Sequence, residues 1–125
     1  MLLNLSNHPV KNWSEKQIAA AHKKFSKVED LPFPQIDPNA SETDIEKLAK
    51  EYFNICNDKL LHFPNENNAV HIMGELTFTF ALVKKLLENN IICVASTTER
   101  NAIETTKGKI TQFEFVRFRN YRLNI

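Results

Sequence analysis

Only two glycines, Gly74 and Gly108, occur in the 125 residues. Neither GxGxxG nor GxxxxGKS/T can be written with them, so the glycine-rich loops that cradle dinucleotides and nucleoside triphosphates are excluded. Cysteine is equally scarce. Cys56 and Cys93 stand far apart, with no CxxC and no Cys/His group at zinc spacing; in apolar surroundings they read as buried free thiols. No apolar run approaches the ~18 residues needed to span a membrane, and the opening MLLNLSNHPV is too short and polar for a signal peptide. The expectation is a reducing cytoplasm and no membrane partner. Net charge is small too. Sixteen Lys plus Arg against fifteen Asp plus Glu leave +1, which argues against a protein that coats duplex DNA but permits a local cationic site. There is no Ser/His/Asp set with a nucleophile elbow and no cluster of carboxylates for two-metal chemistry. If the chain is an enzyme, metal-independent chemistry without a cofactor is expected.

Hydrophobic residues make up 42% and charged residues 25%, enough for one globular domain over 1–125 that needs no staple. Leu2–Leu5 forms a first strand, and SNHP turns the chain. Ser14 opens a helix through an S-x-x-Q capping box, with Ile18, Ala21, His22 and Phe25 on one face. Lys27–Leu31 is a short second strand. Pro32, Pro34 and Pro38 then enforce an extended loop. Ser41 caps a second helix, with Glu42 and Asp44 suited to its dipole, and Pro64 closes it. A polar loop over residues 65–68 leads to a third strand, AVHIM (Ala69–Met73). Gly74 turns the chain into a helix running to about Asn90, with Leu76, Phe80, Val83, Leu86 and Leu87 expected in the core. IICVA (Ile91–Ala95) reads as a central parallel strand buried on both faces. Asn101–Thr106 and Ile110–Phe118 flank Lys107-Gly108 as a hairpin, its second strand alternating with period two. Strands alternating with helices imply right-handed crossovers. The fold class is α/β: a Rossmann-like three-layer sandwich with a mainly parallel sheet and a C-terminal antiparallel hairpin.

In such a sheet, ligands bind beyond the carboxyl ends of the strands. Three strand ends are unusually polar. The first carries Ser6, Asn7 and His8. The third carries Gly74 and Glu75, followed by Thr77 and Thr79. The fourth carries Ser96, Thr97, Thr98, Glu99 and Arg100. Each has a plainer role open to it. Ser6 and Asn7 suit a turn, His8 an exposed loop, and Gly74 a tight strand-to-helix turn. Glu75 is favoured by the helix dipole, and the hydroxyl run suits a cap. In VRFRNYR, Arg117, Arg119 and Arg122 interleave with Phe118 and Tyr121. That pattern fits a solvated edge or a surface that stacks and pairs with a nucleotide.

Four blocks carry a family likeness: NLSNHP, HIMGELTFTFALVKKL, CVASTTER and FEFVRFRNY. Together they resemble the small CRISPR-associated Rossmann-fold (CARF-like) proteins of type III CRISPR systems, most of all the compact stand-alone ring nucleases. The resemblance implies a homodimer that binds a cyclic oligoadenylate second messenger across its axis. It also implies cleavage without metal: a ribose 2′-hydroxyl attacks the adjacent phosphate and leaves a cyclic phosphate, which switches off the antiviral signal. Such chemistry depends on orientation and charge stabilisation. Carried onto this chain, the ligand residues are Ser6, Asn7, Gly74, Thr77, Thr79, Ser96, Thr97 and Thr98. Arg100 holds the phosphate, His8 transfers protons with Glu75 or Glu99 assisting, and Arg117 and Arg119 are further ligand candidates. Two alternatives stay open: a sensor or sequestering module of the same fold that does not cleave, and a ligand-free interaction protein.

Overall fold

The computed structural model describes residues 1–64 and 66–124; Asn65, assigned by sequence to the polar loop, lies outside them. The elements in order are β1 (Leu2–Ser6), a 3-10 turn (Val10–Asn12), α1 (Glu15–Phe25), β2 (Val28–Asp30), α2 (Glu42–Leu61), β3 (Ala69–Met73), α3 (Leu76–Glu88), β4 (Ile92–Thr105) and β5 (Gly108–Asn120). One sheet runs β2-β1-β3-β4-β5. Its first four strands are parallel, and β5 pairs antiparallel with β4. Strand order reverses between β1 and β3, the place where open α/β sheets bind ligands.

Alternation along the strands divides the core in two. Leu3, Leu5, Val70, Ile72 and Cys93 pack against Ile45, Ala49 and Cys56 of α2 and Phe78, Leu82 and Leu86 of α3. Leu2, Ala69 and Val94 face the other way, onto Ala21 and Phe25 of α1 and onto Trp13, Phe115 and Phe118. Helices on both faces of a mostly parallel sheet make the α/β three-layer sandwich expected from the element order.

The caps form where the sequence puts them, with one difference. Ser41 and Asp44 close a full capping box. Ser14 accepts from Gln17 N–H at 3.2 Å, but the Gln17 side chain turns away from the cap and donates to Ser96. His22 is exposed, its ring against the Ser26 carbonyl at the end of α1.

Three further expectations are corrected. β4 does not stop at Ala95: Ser96–Arg100 continue in it to Thr105, so β4 is itself the first arm of the hairpin. Hydroxyl residues suggest a turn, but β-branched threonines without Gly or Pro suit a strand. On α3, Leu76 and Phe80 are exposed at 82% and 71%, and the buried side chains are Phe78, Thr79, Leu82, Val83 and Leu86. Along β5, a bulge between Thr97 and Thr98 of β4 leaves Val116 without a partner and breaks the period of two. It brings Phe115 and Phe118, three residues apart, onto the same buried face with ring centroids 5.0 Å apart. Beyond Val94, β4 no longer pairs with β3 and, among the described residues, pairs with β5 alone, so the hairpin projects past the sheet as a two-stranded ribbon. It turns at Gly108, whose φ of +121° favours glycine.

Candidate functional site

The sheet pairing sets the carboxyl ends of β1, β3 and β4 side by side. Ser6 is opposite Met73, His71 is opposite Val94, and the Ser96 N–H lies 3.3 Å from Met73 Sδ. A cleft of about 380 Å³ opens at the ends of β1 and β2, lined by Asn4, Ser6, Asn7, Asp30 and Phe33 among others.

Beneath these ends lies a line of hydrogen-bonded polar side chains in the layer between sheet and α1. Asn4 on β1, Ser6 on β1 and His71 on β3 are all buried, where unpaired polar groups are costly. Asn4 Nδ2 donates to the His8 carbonyl and to Asp30 Oδ1, both at 2.9 Å. Those two groups only accept, so they fix the amide and turn Asn4 Oδ1 toward His71 Nδ1, 2.8 Å away. The imidazole proton therefore sits on Nδ1, donated to Asn4, and Nε2 is left as an acceptor. The Ser96 hydroxyl donates to it at 2.6 Å and accepts from Gln17 Nε2 at 3.0 Å. His71 is walled by Trp13 and Phe118, with ring centroids at 5.3 and 5.7 Å. Burial pushes the His71 pKa down to about 4, and the nearby His8 adds to the shift, so His71 is neutral at neutral pH.

The residues singled out in the sequence fall into four groups. Ser6 joins the polar line: it donates to Asn4 Oδ1 at 2.8 Å and accepts from His8 N–H. Asn7 and the His8 ring are exposed beside it, while the His8 carbonyl anchors Asn4 and the Trp13 indole N–H. Ser96 is half-buried at the end of the line.

Gly74, Glu75, Thr77 and Thr79 do different work. A Cβ on Gly74 would run into the ring of Phe33, which packs edge-on against Phe78 at 5.3 Å; the space that glycine opens is filled by the proline-rich loop. Glu75 caps α3, accepting from the N–H groups of Thr77 and Phe78 and from the Thr77 hydroxyl. The Thr77 bonds hold its carboxyl below the ordinary value. Glu75 and Thr77 line a separate groove of about 760 Å³ between α2 and α3, floored by Ile45, Ala49 and Ala81. Thr79 is buried and its hydroxyl has no partner among the described residues.

The remaining candidates lie on the ribbon and its base. Thr97 exchanges hydrogen bonds with the Arg117 backbone beside the bulge, and Arg117 Nε donates to the Phe118 carbonyl. Arg119 is exposed opposite Ala95, and Thr98 is exposed on β4. Arg100 is four residues past Ser96, about 13 Å along the strand, with its guanidinium 5.9 Å from the centre of the Phe113 ring. The structure thus brings Ser6, His8 and Ser96 together, and leaves Glu75 in its cap and Arg100 on the ribbon.

Sequence reasoning missed Asn4, Gln17, Asp30 and His71. The signal available was one polar residue inside each of two apolar strands, LLNLS and AVHIM, which pair in register as Asn4 opposite His71. Cys56 and Cys93 are free and buried, and burial raises both thiols to about 12, so neither competes as a nucleophile. Among the described residues, no three His, Cys, Asp or Glu side chains lie close enough to hold a metal ion, and no helix is long and apolar enough to cross a membrane.

Comparison with curated proteins and with solved structures returned no match. A family model does match, and it covers residues 1–119, from β1 through nearly all of β5. The polar line, the capped helices and the base of the ribbon therefore all fall inside the matched region, and the chain belongs to the Uncharacterized protein MJ1673 family.

Proposed function

We propose that the chain is a metal-independent ring nuclease, a homodimer of the cytoplasm that binds a cyclic oligoadenylate and opens it, switching off type III CRISPR signalling. One observation carries the reading: the carboxyl ends of β1, β3 and β4 adjoin at the reversal of strand order, beside a cleft of about 380 Å³. Hydroxyl and amide groups at these ends supply hydrogen bonds for ring phosphates and bases. The exposed His8 ring, two residues past Ser6, is the proton-transfer group. The 2′-hydroxyl attack asks the protein mainly to hold ribose and phosphate in line. The two free, buried thiols fit a reducing compartment.

A second reading, binding without cleavage, draws on two placements. The Glu75 carboxylate is taken up by its cap, and Arg100 stands out on the ribbon, so neither of these groups assigned to catalysis lines the cleft. Incubating the full chain with cyclic tetra- and hexa-adenylate in EDTA separates the two. Ring opening to linear products with 2′,3′-cyclic phosphate ends is the expected result. Tight binding by calorimetry with the ring intact selects the sensor reading. Neither binding nor product rejects both.

A further inference from the structure

Ser96, His71 and Asn4 meet the geometric requirements of an activated nucleophile: a hydroxyl on a base, and the base held by a third group. We propose that Ser96 is a nucleophile for an uncharged carboxylic ester, with His71 as its general base and Asn4 as the residue that positions His71. The Ser96 Oγ to His71 Nε2 distance is 2.6 Å, and His71 Nδ1 to Asn4 Oδ1 is 2.8 Å. Asp30 and the His8 carbonyl leave the Asn4 amide a single orientation, which fixes the imidazole tautomer that can accept a proton from Ser96.

No strained elbow is involved. Ser96 sits on β4 where that strand leaves β3, and the half-buried hydroxyl is presented by the sheet itself. The choice of substrate follows from charge. Among the described residues, the side chains in hydrogen-bond or ring contact with Ser96 and His71 are Gln17, Met73, Asn4, Trp13 and Phe118, none with a formal charge. Such contacts suit a neutral acyl group. Arg117 and Arg119 are paired opposite Thr97 and Ala95, the neighbours whose side chains alternate away from that of Ser96.

In the reaction, Ser96 Oγ bonds to the ester carbonyl carbon as its proton passes to His71 Nε2. The oxyanion forms beside Gln17 Nε2, a donor 3.0 Å from Oγ. The bond from carbon to the alcohol oxygen then breaks, and the alcohol leaves with the proton from His71. Water, giving its proton to the same nitrogen, releases the acyl group as a carboxylic acid and restores Ser96.

The test uses a fluorophosphonate probe on the full wild-type chain, read by peptide mass spectrometry. Ser96 attack on phosphorus expels fluoride and leaves a stable adduct. The chain has five serines, and exposed Ser14 and Ser41 serve as internal references. A general base gives on the order of 100-fold or more. Ser96 is therefore expected to label roughly 100-fold faster than either reference, and His71→Gln to remove that advantage. Ser96→Ala is expected to abolish hydrolysis of p-nitrophenyl acetate. Labelling of Ser96 no faster than of Ser14 or Ser41 overturns the proposal, as does equal ester hydrolysis by wild type and Ser96→Ala. The comparison of serines within one wild-type chain needs no variant to fold. The probe is no nucleotide, so this result and the ring-opening result fail independently.

Discussion

At the scale of single residues, the polar line predicts how stability depends on pH. In the unfolded chain His71 titrates near 6.5; in the fold, burial lowers it to about 4. Above pH 6.5 both states are neutral at this residue, and it adds no pH dependence. Between 6.5 and 4 the unfolded chain binds a proton that the folded chain refuses, so stability falls as pH falls, by on the order of 3 kcal/mol across that window. Urea midpoints measured from pH 7.5 to 4 should therefore drop more steeply for wild type than for His71→Gln; parallel curves would show that His71 is not the group responsible. Thr79 carries the opposite kind of prediction. Its hydroxyl is buried without a partner among the described residues. Valine has the same shape and a similar helix propensity, so Thr79→Val is expected to raise stability by about 1 kcal/mol. A lower melting temperature in that variant would mean that the hydroxyl has an unseen role.

At the scale of elements, the junction of β3 and α3 depends on one close approach. The Phe33 ring lies where a side chain on residue 74 would go, and it also packs on Phe78. Gly74→Ala is expected to cost about 1–3 kcal/mol through overpacking, and nearly nothing once Phe33→Ala has opened the space. A double-mutant cycle by urea denaturation checks this; additive costs would mean that the glycine is needed for another reason. The same junction shows what the sequence made legible. Local signals were readable: the Ser14 and Ser41 caps, the βαβ order and the hairpin turn at Lys107-Gly108 each need only neighbouring residues. The face of α3 was not, because Leu76, Phe78, Phe80 and Leu82 put apolar groups around the helix, and only packing on the sheet, α2 and Phe33 decides which are covered. The bulge at Val116 was hidden for a similar reason, since the choice between Val116 and Phe115 is made by packing on Phe118. The polar line was least legible. Its bonds join residues 67 and 25 apart in the chain, so no local pattern marks them. The diverted side chain of Gln17 looked like half of a capping box.

For the molecule as a whole, the ribbon is the feature its own core does not explain. Residues past Ser96 on β4 pair only with β5, and an isolated two-stranded ribbon is marginal in water. It nevertheless exposes Ile103, Ile110 and Phe113, and sets Glu99 directly opposite Glu114, where like charges repel. The cost of the exposed apolar side chains falls away if the ribbon lies against another chain, which is how the proposed homodimer would use it. The prediction is a separation of folding from association. Both core clusters lie outside residues 100–113. A chain in which Asn-Gly replaces residues 100–113, joining Glu99 to Glu114 through a tight turn, should keep its melting temperature when measured at low concentration. Light scattering should then give twice the chain mass for the full protein and a single chain mass for the shortened one. If the shortened chain still has twice the chain mass, the contact lies elsewhere, and Leu76 and Phe80, exposed on α3, become the surface to mutate. If the full protein is itself a single chain at all concentrations, the ribbon is not a dimer arm, and the two-fold ring-binding arrangement goes with it.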